Sequence, residues 1–488
     1  MLRVASLDTL PLPILGKGAL VPGVETQIGD WAALAQHELL LFAAVFFLVG
    51  ALDELAIDLC YLVGRLIGVI RTPRFEVASD SALSARTAIF IPAWQEAQVI
   101  GHTIMHAARV WPQDAVTIFI GCYPNDAETA AVVKRLAKQD TRIRLVVHDR
   151  AGPTCKADCL NAIYRAMAKD ELERGQEYAM VVLHDAEDMV DPAALQLMER
   201  EMREAEFVQI PVLAMTLASS PYISGHYSDE FAEAHGKAMP VRDALGASLP
   251  GAGVGCAIDR SMLADLAAEQ EAGEPFARTS LTEDYELGMR IAALGGRTRF
   301  ARFRSAEDGR LIATRAYFPA DLDQAVRQKT RWTHGIALQS WDRLGWQGGL
   351  VNLWMQLRDR RGPLAALLLA LGYLLVAATT FGWGLYLAGW QEPVRLDPVL
   401  SSLLLVNFGF FVWRVIVRAI FTAREFGWRE GVRAVLRMPV SNIITIMAGY
   451  RAVTAYLKGL PGGAPPRWDK TAHFHHPANP LGAGSPET

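Results

Sequence analysis

Cysteine is scarce in this 488-residue chain, with five residues at Cys60, Cys122, Cys155, Cys159 and Cys256. Their spacing offers neither a zinc pair nor a disulfide framework, and reduced thiols in a cytoplasmic setting are the simplest reading. A charge excess is lacking too. The formal net charge is −4, so nothing global points to a nucleic-acid partner. Residues 1–30 hold scattered Pro and Gly without a compact apolar core behind a basic start, so no cleavable signal peptide is expected. No internal repeat is evident.

Apolar residues, by contrast, are plentiful. They make up 51% of the chain against 20% charged, which is apolar for a soluble protein and too charged for one wholly inside lipid. A soluble domain joined to a few membrane helices satisfies both figures, and the length suits two or three units.

After an N-terminal segment (1–35), the first apolar block runs Leu39–Gly50 and resumes as Ala56–Ile70. A transmembrane helix over 36–70 is expected, with Asp53 and Glu54 facing other helices or marking the membrane boundary. Arg65, Arg71 and Arg74 follow it, which puts that end in the cytoplasm and the N-terminus outside. Residues 85–335 then alternate short β-rich runs (Thr87–Ile91, Val116–Ile120, Leu145–Val147, Met180–Leu183) with helical stretches (Glu96–Ala108, Ala127–Lys138, Lys156–Met167). The strands are continuously apolar, which predicts an α/β domain whose parallel sheet is covered on both faces.

Interfacial helices are expected over 336–361 and membrane helices over 362–458. Pro363–Ala388 and Pro398–Phe421 are the spanning candidates, each ~36–39 Å long at the helical rise. Arg424, Arg429, Arg433 and Arg437 form a basic loop between them and the next helix, again cytoplasmic. Val440–Leu457, interrupted by Asn442 and Arg451, is expected as an interfacial or re-entrant helix before an extended tail (459–488).

Ligands of parallel α/β sheets bind beyond the carboxyl ends of the strands. The first strand ends at Pro92-Ala-Trp-Gln-Glu96, the second at Gly121-Cys-Tyr-Pro-Asn-Asp126 and the fourth at His184-Asp-Ala-Glu-Asp188. Asp185, Glu187 and Asp188 supply hard oxygen ligands for a divalent cation that bridges two phosphates. Helix capping accounts for Asp191-Pro192 but not for three uncompensated acids just before it. Thr282-Glu283-Asp284 opens an amphipathic helix. On spacing alone the acids read as dipole partners and Thr282 as an N-cap. Gln328, Arg331 and Trp332 share one helix face, where the arginine suits a phosphate and the tryptophan a sugar ring or, with Trp341, a membrane surface. Lys156 opens a helix against its dipole, which a phosphate or carboxylate partner would explain. A plain solvent-exposed lysine fits as well.

In this order the motifs resemble family 2 glycosyltransferases of the membrane-bound Q-x-x-R-W type. Phe90-Ile-Pro-Ala-Trp-Gln-Glu96 resembles that family's first strand and nucleotide-contacting turn. Asp185-Ala-Glu-Asp188 resembles its D-x-D motif, Thr282-Glu-Asp284 its T-E-D motif and Gln328-Lys-Thr-Arg-Trp332 its Q-x-x-R-W motif. The resemblance covers residues 40–475. It implies a GT-A-like, Rossmann-like nucleotide-sugar transferase domain set between transmembrane helices, in a bacterial inner membrane with the catalytic domain cytoplasmic. It implies transfer of a hexosyl or N-acetylhexosaminyl unit from a nucleotide-diphosphate sugar, a UDP-sugar first, to a glycan or lipid acceptor. The transfer would be inverting, and repeated addition to a polysaccharide is open to it. Asp284 would be the general base. Pro92, Glu96, Asp126, Lys156 and Asp185 would hold the donor. Glu283, Gln328, Arg331 and Trp332 would hold the acceptor and diphosphate, and Asp185 with Glu187 or Asp188 would hold Mg²⁺ or Mn²⁺. Expected partners are membrane lipids and an export partner or second copy. The family's D-D-G-S run is replaced here by Tyr123-Pro-Asn-Asp126. The reading from another class is a non-catalytic envelope scaffold or phage-receptor component.

Overall fold

The computed structural model describes residues 22–77, 83–111, 114–270, 272–389, 396–459 and 475–477. Helix α1 (Pro22–Leu66) carries the first apolar block without a break. Its carboxylates are paired. Arg358 and Arg361 hold both Asp53 and Glu54, while Asp58 takes Lys237 at 2.5 Å and the Trp413 indole N–H at 2.7 Å. The expectation that these acids face other elements is met, and pairing is what allows charges to sit in an apolar helix.

A seven-stranded sheet follows. Its strands in chain order are β1 (Thr87–Pro92), β2 (Val116–Cys122), β3 (Ile143–Val147), β4 (Met180–Leu183), β5 (Phe207–Gln209), β6 (Cys256–Asp259) and β7 (Thr298–Phe300). The spatial order is β3-β2-β1-β4-β6-β5-β7. Every residue of β1, β2 and β4 is buried. Alternate residues serve opposite faces. Ile89 and Ile91 pack with Ile100 and Ile104 of helix α2 (Ile100–Val110). Ala88 and Phe90 pack with Leu160 and Ile163 of helix α3 (Lys156–Arg174) and with Leu287 and Ile291 of helix α4 (Glu283–Ala293). This double covering is why the strands read as unbroken apolar runs.

The four strands expected from the sequence pair in parallel, and beyond them the sheet is mixed. β6 runs antiparallel between β4 and β5. A reversed strand delivers its amino end, not its carboxyl end, to the ligand edge, and here that end is the glycine run Gly251–Gly255. Helix α5 (Leu322–Trp332) starts at Asp321, whose carboxylate accepts the N–H groups of Asp323 and Gln324, and continues into a π-helical turn (Thr333–Gln339). Short helices Ser340–Leu344 and Leu350–Arg360 occupy the expected interfacial stretch.

Helix α6 (Gly362–Leu387) is apolar throughout, while α7 (Pro398–Phe426) is apolar over its first half and carries Arg414, Arg418, Arg424 and Glu425 in its second. With residues Leu34–Leu66 they are three helices long and apolar enough to cross a membrane among the described residues. Their large side chains stay uncovered, Leu374 by 68% and Leu405 by 72%, as lipid contact requires. Helix α8 (Trp428–Gly459) passes through Pro439 as one helix and buries one face on the α/β domain. Ile444 joins Tyr227, Ala325 and Val326 there. The basic loop expected around 422–438 is a sharp turn at Gly427 (φ 90°) between two helices. Arg437 within it is buried against Asp229 (2.6 Å) and Glu430 (2.7 Å), so it is an internal anchor. Most of the expected extended tail (459–488) and residues 1–21 lie outside the described residues.

Candidate active site

One cleft opens beyond the carboxyl ends of β1 and β4. It is lined by Pro92, Glu96, Lys156, Asp185, Glu187, Asp188, Glu283, Asp284, Gln328, Arg331 and Trp332. Those are the sequence-predicted site residues with the exception of Asp126, and they come from five separate stretches of chain.

Asp126 caps the following helix through the Thr129 N–H at 3.3 Å and takes the Gln95 N–H at 2.5 Å. Gln95 is held at φ 55°, in the left-handed region that non-glycine residues rarely adopt. Asp126 therefore shapes the turn that ends in Glu96 and does not line the cleft itself.

Lys156 is explained by its partner. It opens α3 with no side-chain cap ahead of it, and its ammonium lies 2.6 Å from Asp185 Oδ1. Burial by itself would lower the ammonium's pKa, but Asp185, Glu283 and Asp284 outweigh it and hold the charge firmly on. Of the three acids after β4, Asp185 and Glu187 are half-buried at the cleft while Asp188 is 1% exposed. The Asp188 carboxylate faces inward. It accepts the Asp185 N–H and His184 Nδ1, each at 3.0 Å. The geometry separates a cleft-facing pair from an internal brace.

The T-E-D turn sits at the amino end of α4. Thr282 occupies the N-cap position, yet its hydroxyl makes no capping bond and is buried without a partner among the described residues. Gln339 accepts the Leu281 N–H at 2.8 Å, and a Cβ on Gly335 would meet Thr282 Oγ1 at 2.5 Å. The π-helical turn behind the Q-x-x-R-W helix thus grips the T-E-D turn directly. Burial, then the like charge of Asp284, pushes Glu283 up to about 7. Asp284 is likewise raised by burial, against the pull of Lys156.

Trp332 stands in an aromatic cluster with Tyr227, Phe231 and Phe318, at centroid distances of 5.9, 6.2 and 6.3 Å. Trp341 is 49% exposed and packs on Trp346. The two tryptophans therefore divide the two expectations: Trp332 belongs to the cleft wall and Trp341 to the surface. Gln328 Oε1 is buried without a hydrogen-bond partner among the described residues.

Sequence reasoning missed Gly251 and Gly253. A Cβ on Gly251 would meet the Asp284 carbonyl oxygen at 2.6 Å, and one on Gly253 (φ 77°) would meet Asp284 Oδ2 at 2.5 Å. The signal was present as Gly251-Ala-Gly-Val-Gly255, three glycines at alternate positions. It reads as an ordinary turn unless the following strand is known to be antiparallel.

This assembly of strand-end acids, T-E-D turn and Q-x-x-R-W helix defines a nucleotide-sugar transferase site. The chain belongs to the glycosyltransferase-like family 2, whose profile matches residues 85–335, half of the sequence. It is 34% identical over 464 residues to bacteriophage adsorption protein B of Escherichia coli K12. The match covers 88% of this chain and 61% of that protein. Bacteriophage N4 adsorption protein B of Escherichia coli O157:H7 matches to the same extent. The chain thus spans about three-fifths of the length of these curated relatives. Among solved structures it resembles a mannosyltransferase of Pyrobaculum calidifontis in complex with GDP-mannose and Mn²⁺ (TM-score 0.47, 15% identity, 83% of this chain and 99% of that one). It also resembles glucosyl-3-phosphoglycerate synthase of Mycobacterium tuberculosis in complex with Mn²⁺ and UDP-glucose (TM-score 0.34, 14% identity, 57% and 89%).

Proposed function

We propose that this chain transfers a hexosyl or N-acetylhexosaminyl unit from a nucleotide-diphosphate sugar to a hydroxyl of a glycan or lipid acceptor. The transfer takes place at the cytoplasmic face of a bacterial inner membrane, with Asp284 as the base. The observation that carries this reading is the convergence of Asp185, Glu187, Asp284, Gln328, Arg331 and Trp332 on one cleft.

The cleft's charge supports a divalent cation. Glu96, Asp185, Glu187, Asp188, Glu283 and Asp284 line it, against Lys156 and Arg331. Such a surface repels a diphosphate unless positive charge is added. Two cleft-facing carboxylates with open positions left for phosphate oxygens suit Mg²⁺ or Mn²⁺. Asp185 and Glu187 would hold the ion, which supplies charge stabilisation to the leaving diphosphate.

The residues divide the remaining work. Asp284 takes the proton of the acceptor hydroxyl. That oxygen bonds to the anomeric carbon as the bond from this carbon to the diphosphate oxygen breaks. The electron pair leaves on the nucleoside diphosphate, where Lys156 and Arg331 share the charge. Direct displacement inverts the anomeric centre. Trp332 and Gln328 hold the acceptor sugar, and a product left in that place is ready for another addition, which makes the reaction repetitive.

A panel of UDP- and GDP-sugars tests the reading on purified protein in detergent. Nucleoside diphosphate release from one donor, dependent on Mg²⁺ or Mn²⁺ and abolished by chelator, supports it. Release unaffected by chelator contradicts the metal assignment. Product length separates repeated from single addition.

A further inference from the structure

The segment after α5 is not the last part of the chain to reach the site. Residue His476 returns to the turn after β4. His476 is 2% exposed, and its Nε2 lies 3.0 Å from the carbonyl oxygen of Asp188. A carbonyl only accepts, so Nε2 carries the proton and donates. The ring stacks on His102 of α2, with centroids 6.0 Å apart and planes 25° apart.

This contact completes a pattern. The turn from Asp185 to Asp191 carries the cleft-facing carboxylates, and side-chain donors hold its carbonyls in place. Thr103 Oγ1 donates to Ala186 (2.5 Å), His106 Nε2 to Val190 (3.0 Å) and Trp111 Nε1 to Asp191 (3.2 Å). All three belong to α2 or its C-cap. The fourth, for Asp188, comes from His476, nearly 290 residues further along the chain. Asp188 is also the residue whose carboxylate holds the Asp185 N–H. A force on its carbonyl therefore acts on the placement of Asp185.

We propose that His476 is a positioning residue for the metal turn, its hydrogen bond to the Asp188 carbonyl fixing the backbone that places Asp185 and Glu187. The proposal rests on the assignment of the metal to those two carboxylates. Outer partners of metal ligands typically change metal affinity 10–100-fold when removed.

The test uses the full chain with His476→Ala and His476→Asn, the latter keeping a side-chain N–H donor. Hydrogen exchange is followed in the 184–191 peptide, where the Asp185 and Met189 amides are bonded to Asp188 and Arg315. His476→Ala is expected to exchange roughly 3- to 10-fold faster there, the worth of one hydrogen bond. Peptides of α4 should be unchanged, and His476→Asn should recover part of the protection. Mn²⁺ binding, read from the loss of the free-ion EPR signal, is expected to weaken about tenfold in His476→Ala. Unchanged exchange in 184–191 overturns the contact. Faster exchange with unchanged Mn²⁺ affinity overturns its role toward the metal. Asp185→Asn serves as the control: undiminished Mn²⁺ binding in that variant locates the failure in the metal assignment instead.

Discussion

Asp284 and Glu283 are adjacent acids raised by burial, and Glu283 rises to about 7 in part because Asp284 is beside it. A carboxylate that holds its proton more tightly when folded loses stability as pH climbs from its ordinary range through its folded pKa. Activity runs the other way, because the base must be ionised. The rate should rise on an acidic limb whose midpoint lies above the ordinary aspartate range, because burial raises Asp284. Lys156→Met removes the positive charge that opposes this rise and should move that limb to higher pH. A pH–kcat profile checks this, and an unmoved limb contradicts the coupling. Gly253 offers a second test at this scale. Alanine there is strained at φ 77°, and its Cβ would fall on Asp284 Oδ2. Gly253→Ala should lower kcat with little change in donor KM, since it displaces the base and not the donor contacts. It should also cost roughly 1 kcal/mol of stability, read by thermal unfolding.

Individual residues were unevenly legible in the sequence. Lys156 stood out because its charge opposes a helix dipole, and Asp185 is the partner that resolves the conflict. The acids after β4 were visible as a group, but which of them faces the cleft depended on His184 turning Asp188 inward. Asp126 was legible as a strand-end acid. Its employment in holding Gln95 depends on a backbone angle that no residue type announces.

At the scale of elements, the strands with two buried faces were plain, because double burial writes itself as unbroken β-branched and aromatic runs. β6 was not. It is four residues long and follows a glycine run, so local composition reads as a turn, and its reversed direction is a tertiary fact. α8 was obscured by Pro439 and by charges whose partners lie on the catalytic domain. Arg437 is the clearest of these. Its side chain is 1% exposed and Asp229's is 2%. Arg437→Met should destabilise by about 3–5 kcal/mol by leaving a buried carboxylate unpaired. Adding Asp229→Asn should recover much of that loss. Thermal unfolding of the single and double variants measures the coupling, and additive losses contradict it.

At the scale of the whole molecule, we propose an orientation from three apolar helices and the arginines that flank them. α1 would enter from outside, α6 would return and α7 would re-enter, which would leave the α/β domain and α8 in the cytoplasm. Alkaline phosphatase fused between α6 and α7 should be active, and fused after Gly459 inactive. The reverse pattern contradicts the orientation. Asp53, Glu54 and Asp58 bear on the same question. Asp53 and Glu54 face other elements as expected, and with Asp58 they mark where α1 meets Arg358, Arg361 and Lys237.

The central claim is that Asp284 is the base of a sugar transfer in this cleft. The most direct measurement is nucleoside diphosphate release by wild-type protein and by Asp284→Asn, with the donor and metal that the wild type accepts. A fall in turnover of roughly 10²–10⁴-fold, with Mn²⁺ binding retained, is predicted. Turnover of Asp284→Asn equal to the wild type would contradict the account.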